Sequence, residues 1–192
     1  LFAMDTYMTV TAYGKGATEA VDQAADEISR LDQLLSTGNE DSEIYKINQS
    51  GDGILSEETA YLVERSLDLY EATDGAFDIA IYPVMKVWGF TDDNFRVPDA
   101  DELKDLLTLT DASDISYDKE TSQIVFKKDG MQIDFGGIAK GYTSARIMDI
   151  FRACGIKSGL VNLGGNVQAL GTKKDGSCLL YTSPSPRDKR QS

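Results

Sequence analysis

Between Ala17 and Leu35 apolar side chains recur at Ala20, Ala24, Ile28, Leu31 and Leu35, a spacing that lays them along one face of a helix. A helix with such a stripe must bury it against another layer. Just before it, Thr6, Met8, Val10 and Ala12 alternate with polar or aromatic neighbours up to Gly14, which is the period of a half-buried strand. Ser36-Thr37-Gly38-Asn39 then stops the helix. A strand followed by an amphipathic helix sets the pattern for the rest of the chain.

A second helix is predicted from Ser56, a suitable N-cap with Glu58 in the first turn, through Ala60, Val63, Leu67 and Tyr70 to Asp74-Gly75. An apolar, Pro-containing stretch runs from Phe77 to Phe90, and a short helix covers Asp101 to Leu107. Strand-like runs follow around Ile115, at Ile124 to Phe126 and at Met131 to Phe135. Asp134-Phe135-Gly136-Gly137 opens a helix whose apolar face is expected to hold Ile138, Ala145, Met148 and Phe151, with Gly155 closing it. Leu160, Val161 and Leu163 form a strand, Gly164-Gly165 a turn, and Val167 and Ala169 another strand. Helices and strands mix without a β-α-β repeat, so the fold class is α+β.

Composition narrows the chemistry. The chain has 192 residues and a formal net charge of −13, which argues against a nucleic-acid partner, whose phosphate backbone needs clustered Lys and Arg. Histidine is absent, so any metal is expected to be a hard, oxygen-bound ion. Cys154 and Cys178 have no C-x-x-C spacing, and Cys154, late in a helix, reads as a buried thiol. No apolar run approaches the roughly 20 residues of a membrane span. From Ser177 to Ser192 the periodicity ends, Pro184 and Pro186 appear, and Arg187, Lys189 and Arg190 face only Asp188. Residues 1–176 are therefore expected to form the domain, and 177–192 a disordered or non-native tail.

The segment Asp134-Phe135-Gly136-Gly137-Ile138-Ala139-Lys140-Gly141-Tyr142 concentrates the chemistry. A strand ends at a carboxylate, glycines turn the backbone, and a helix starts with Lys140 in its first turn. Free N–H groups and the helix dipole there favour an anion such as a phosphate. A capped turn with no ligand explains the same residues equally well. Gly75-Ala76-Phe77-Asp78 sets a carboxylate beside an aromatic ring, which suits a flat heteroaromatic ligand. Trp88 and Phe90 read as core. Gly164-Gly165 serves either close approach of a ligand or a hairpin turn.

Taken in order, Met4-Asp5-Thr6, Leu35-Ser36-Thr37, Asp41-Ser42-Glu43, Gly75 to Asp78, Trp88-Gly89-Phe90, Asp134 to Tyr142 and Val161 to Gly165 resemble the ApbE family of flavin transferases, over residues 4 to about 172. The resemblance implies a T-fold-related mixed sheet with packed helices, and magnesium-dependent transfer of FMN from FAD to a Ser or Thr hydroxyl of an acceptor flavoprotein, releasing AMP. An FAD pyrophosphatase yielding FMN and AMP, or a non-catalytic FAD-binding protein, are the alternatives. Carried over by motif, Met4 would pack on the flavin, Ala76, Phe77 and Asp78 would line the FAD site, and Asp134 would hydrogen-bond FAD. Lys140 would sit near the cofactor, and the Gly137 carbonyl would be one magnesium ligand. In many relatives an aromatic follows Leu-Ser-Thr, whereas Gly38 stands here. The family's later His-containing segment and the Asp/Thr pair that completes the magnesium site are not found in this chain. It is therefore expected to be a C-terminally truncated piece with little activity. The resemblance also implies an exported protein held at the cell membrane by a lipid anchor that this chain lacks.

Overall fold

The computed structural model describes residues 1–91 and 94–172. The predicted tail, with Cys178, lies outside the described residues. Strand β1 (Phe2–Ala3) turns into β2 (Thr6–Tyr13), which leads to helix α1 (Ala17–Leu35). Helix α2 (Glu43–Ser50), strand β3 (Asp52–Ile54) and helix α3 (Glu57–Ala72) follow. Then come helices α4 (Tyr82–Val87) and α5 (Ala100–Leu107), and strands β4 (Ile115–Asp118) and β5 (Gln123–Phe126). Helix α6 (Ala139–Ala153) and strands β6 (Ser158–Leu163) and β7 (Asn166–Leu170) complete the order.

Among the described residues the strands form one antiparallel sheet in the order β1-β2-β6-β7 and a second in the order β3-β5-β4. The expected α+β class holds. Helices α1 and α6 cover one face of the larger sheet. Ala20, Ala24 and Ile28 from α1 join Ile147, Met148 and Phe151 from α6 over Met8, Val161 and Leu163. A second core gathers Ile44, Ile47, Leu62 and Val63 from α2 and α3 with Ile124 and Phe126, Met131, Ile133 and Phe135. Met4 packs against both cores. No helix among the described residues is long and apolar enough to cross a membrane.

Several expectations need correction. Met131 to Phe135 is not a strand, and among the described residues it pairs with none. Its backbone is satisfied instead by the Asn48 side chain at Ile133 and by the Ile79 carbonyl, which accepts from the Asp134 N–H at 2.9 Å. Helix α2 and strand β3 carry too few apolar positions to announce themselves, yet Ser42 caps α2 by accepting from the Tyr45 N–H at 2.9 Å. Helix α6 starts at Ala139 rather than in the glycines. Its inward face uses Thr143 and Ser144, and Ala145 is exposed. Ser56 precedes α3, but its hydroxyl makes no backbone cap and lies 3.1 Å from the Thr59 hydroxyl. Cys154 is only half-buried, at the end of α6.

Candidate functional site

A cleft of about 470 Å³ opens where the two cores meet. Its walls come from the β1–β2 turn (Met4, Asp5), the end of α1 with Ser36-Thr37-Gly38, and α4 (Tyr82, Met85). Phe90 and the junction Asp134 to Lys140 close it. That volume falls in the range of about 300–1,000 Å³ usual for small-molecule sites.

Each wall is set by local chemistry. Met4 and Asp5 are both left-handed, with φ of 48° and 55°, which permits the abrupt reversal between β1 and β2. The Asp32 carboxylate of α1 accepts the Met4 N–H at 2.9 Å, and the Thr143 hydroxyl lies 3.9 Å from the Met4 sulfur. At the junction, one Asp134 oxygen accepts the Gly136 N–H at 2.7 Å, and the Phe135 carbonyl accepts from Ile138 and Ala139. This closes a tight turn and starts α6 with Lys140 in its first turn. The Asn166 side chain donates to the Lys140 carbonyl at 3.2 Å and to Ser144 at 2.6 Å, tying the helix start to the β6–β7 hairpin. Burial raises the Asp134 carboxyl above the ordinary aspartate range, against the Gly136 N–H and the Lys140 ammonium, which lower it, while Asp5 adds to the rise.

Of the sequence-predicted site residues, the fold brings Met4, Asp134 and Lys140 to this cleft. Ala76, Phe77 and Asp78 are not among its lining residues. The Phe77 ring instead presses against Gly137, where an added Cβ would come within 2.9 Å of the ring edge. Both Asp78 oxygens are occupied: one accepts the Ala80 N–H at 2.7 Å and the other the Ala112 N–H at 3.1 Å. Burial raises this carboxyl too, opposed by those two bonds. Gly137 is exposed next to Gly136. Gly38 lines the cleft, and a Cβ there would meet nothing within 4 Å.

Phe90 is not core. It is 59% exposed at the cleft, with its ring centroid 6.2 Å from that of the half-buried Trp88 in a stacked pair. Phe2, Asp32 and Met85 also wall the cleft without any signal in their local sequence. Among the described residues no group of three or more His, Cys, Asp or Glu is placed to hold a metal.

Comparison with known proteins adds to this geometry. The ApbE family model matches residues 4–184. The FAD:protein FMN transferase of Klebsiella pneumoniae (strain 342) is 32% identical over 147 residues, covering 75% of this chain and 46% of that protein. The one from Treponema pallidum (strain Nichols) is 33% identical over 180 residues, covering 88% and 50%. The chain thus spans about half the length of these curated relatives. Among solved structures, the ApbE protein of Thermotoga maritima superposes with a TM-score of 0.84 at 30% identity, covering 92% of this chain and 59% of that one. The apo flavinyl transferase ApbE of Pseudomonas stutzeri gives 0.79 at 28% identity, covering 91% and 58%.

Proposed function

The chain belongs to the ApbE family, and from that premise we propose that its cleft is the FAD site of an enzyme that moves FMN from FAD to a protein acceptor. The observation that carries this reading is the single turn that places Asp134 and Lys140 together in the cleft. In the complete protein the acceptor's Ser or Thr oxygen attacks the flavin-side phosphorus. The P–O bond to AMP breaks, the hydroxyl proton passes to solvent, and flavinylated protein and AMP are released. Positioning and charge neutralisation dominate such a transfer.

Within this reading the Lys140 ammonium and the start of α6 offset the pyrophosphate charge. Asp134, its carboxyl shifted upward by burial, serves as a hydrogen-bonding partner of FAD. Met4 presents a polarizable surface to the flavin ring. Phe77 buttresses Gly137, and Asp78 ties together the short 3-10 helices that begin at Ile79 and Ala112, so Phe77 and Asp78 act from behind the turn. Magnesium is part of the proposal, with the Gly137 carbonyl as this chain's contribution. Placement outside the cytoplasm on a lipid anchor is proposed on family resemblance alone.

The test combines turnover and binding in the complete protein. Incubation with FAD, magnesium and an acceptor flavoprotein should give an acceptor fluorescent in gel. Free FMN plus AMP without labelling would identify a hydrolase, and unchanged FAD a binding protein. Lys140→Ala should weaken FAD affinity by roughly 10- to 150-fold, the equivalent of one charge-assisted hydrogen bond. Lys127→Ala is the control, since its ammonium donates to the Ser113 carbonyl at 2.8 Å, and Ser113 is not among the cleft residues. A folded Lys140→Ala protein that binds FAD like the parent would show that the turn only caps a helix.

A further inference from the structure

Asn48 lies in α2, is 7% exposed, and makes two hydrogen bonds to a single distant residue. Its Oδ1 accepts the Ile133 N–H at 2.7 Å, and its Nδ2 donates to the Ile133 carbonyl at 2.9 Å. An antiparallel neighbour strand would satisfy Ile133 in the same way, with one acceptor and one donor. Here a side-chain amide replaces the strand. The Asn48 carbonyl further accepts from Gln132 Nε2 at 3.3 Å, so the contact spans adjacent residues.

The consequence falls one residue on. Met131, Ile133 and Phe135 point into the core in strand alternation, which turns Asp134 to the opposite side, toward the cleft. The Asp134 N–H is held by the Ile79 carbonyl. We propose that Asn48 is the positioning residue for Asp134. Its amide fixes the rotation and depth of the 131–135 segment, and so the place of the Asp134 carboxylate and of the turn that launches α6 and Lys140. This deepens the FAD reading above and rests on it.

The amide is specific to the task. It offers a donor and an acceptor on one rigid plane, which an alanine lacks altogether. An ionised carboxylate offers acceptors only, whereas a protonated one again offers both. A purely structural amide would lower stability when removed, without acting through Asp134.

The experiment uses the full-length protein with FAD as probe, in a cycle of Asn48→Ala, Asp134→Asn and the double variant. FAD affinity is read by flavin fluorescence, and the Asp134 carboxyl is followed by carbon-13 NMR titration without FAD. Asn48→Ala should weaken FAD by about tenfold in the parent and by less than about twofold in the Asp134→Asn background. The Asp134 titration should move down toward the ordinary aspartate range as the segment loosens. Asn48→Asp should regain affinity relative to the parent as the pH is lowered and its carboxyl becomes neutral. That variant also carries the test should Asn48→Ala fail to fold. Equal losses in both backgrounds, or a folded Asn48→Ala with parental affinity and an unmoved Asp134 titration, would overturn the assignment. If the parent itself binds no FAD, the FAD reading falls, and the NMR titration alone decides whether Asn48 positions Asp134.

Discussion

Replacing Gly164 by alanine tests how the β6–β7 hairpin supports the cleft. Leu163 pairs with Asn166, so Gly164-Gly165 is a two-residue hairpin loop, and its φ values of 59° and 96° are the positive pair that a type I′ turn requires. A Cβ at Gly164 would lie 2.5 Å from the Thr6 Oγ1, 2.6 Å from its Cγ2 and 2.9 Å from its Cβ. At Gly165 a Cβ would meet nothing within 4 Å. Left-handed backbone costs an alanine about 1–2 kcal/mol, and overlap with a packed neighbour about 1–3 kcal/mol more. Gly164→Ala should therefore lose about 2–5 kcal/mol, a fall of roughly 5–20 °C in the thermal midpoint for a domain of this size. Gly165→Ala bears only the backbone part, roughly 2–8 °C. Adding Thr6→Ala to Gly164→Ala removes the two nearest atoms and should recover part of the difference. Thr6 follows directly on the Met4-Asp5 turn, so FAD binding should weaken in Gly164→Ala and not in Gly165→Ala. Circular dichroism melts and flavin fluorescence read both effects. Identical melting of the two glycine variants would refute the steric argument.

Asp134→Asn should raise the thermal midpoint at neutral pH while weakening FAD binding. The folded carboxyl titrates above its unfolded value, so its contribution to stability is complete at low pH and is lost as pH rises through the folded pKa; melts from pH 3 to 8 should show the gap closing below about pH 4. Glu27→Gln should do the opposite. Hydrogen bonds from Arg30 and then Arg146 hold the Glu27 carboxyl below its ordinary range, so its contribution is present at neutral pH and lost on acidification. The expected loss is about 0.5–2 kcal/mol for two ion pairs, shrinking in high salt, and an unchanged midpoint at low and high ionic strength would count against it.

What the sequence made legible divides along physical lines. Helix α1 emerges with the predicted limits, because a long stripe of Ala20, Ala24, Ile28, Leu31 and Leu35 is a local signal. The strands at Ile115 and Ile124 were readable for the same reason. The face of α6 was not, because it buries Thr143 and Ser144. Thr143 packs by Met4, and the Ser144 hydroxyl donates to the Lys140 carbonyl at 2.9 Å, so hydropathy points instead to the exposed Ala145. The Asp134–Lys140 turn was visible as glycines after a carboxylate. Asp32 and Asn48, which hold Met4 and Ile133, were not, since a polar side chain bonded to a backbone far along the chain leaves no local period.

These polar pins explain why the cleft lies between the cores rather than inside either. Apolar packing alone would draw Met4 into one core, yet it touches both, on a turn whose two left-handed residues each cost roughly 1–3 kcal/mol. Such a turn persists only where its surroundings over-determine it. The surroundings here are the Asp32 carboxylate on α1, Thr143 on α6, and Thr6 wedged against Gly164 on the sheet. Across the cleft, the Asp134 segment is held by Asn48 from α2 and Ile79 from the short 3-10 helix before α4. Each wall is thus anchored in a different core, and the space between them is set by how the cores sit against each other at Met4. Packing changes far from the cleft therefore reach it through Met4, and a flavin lying across the gap would bind both cores at once.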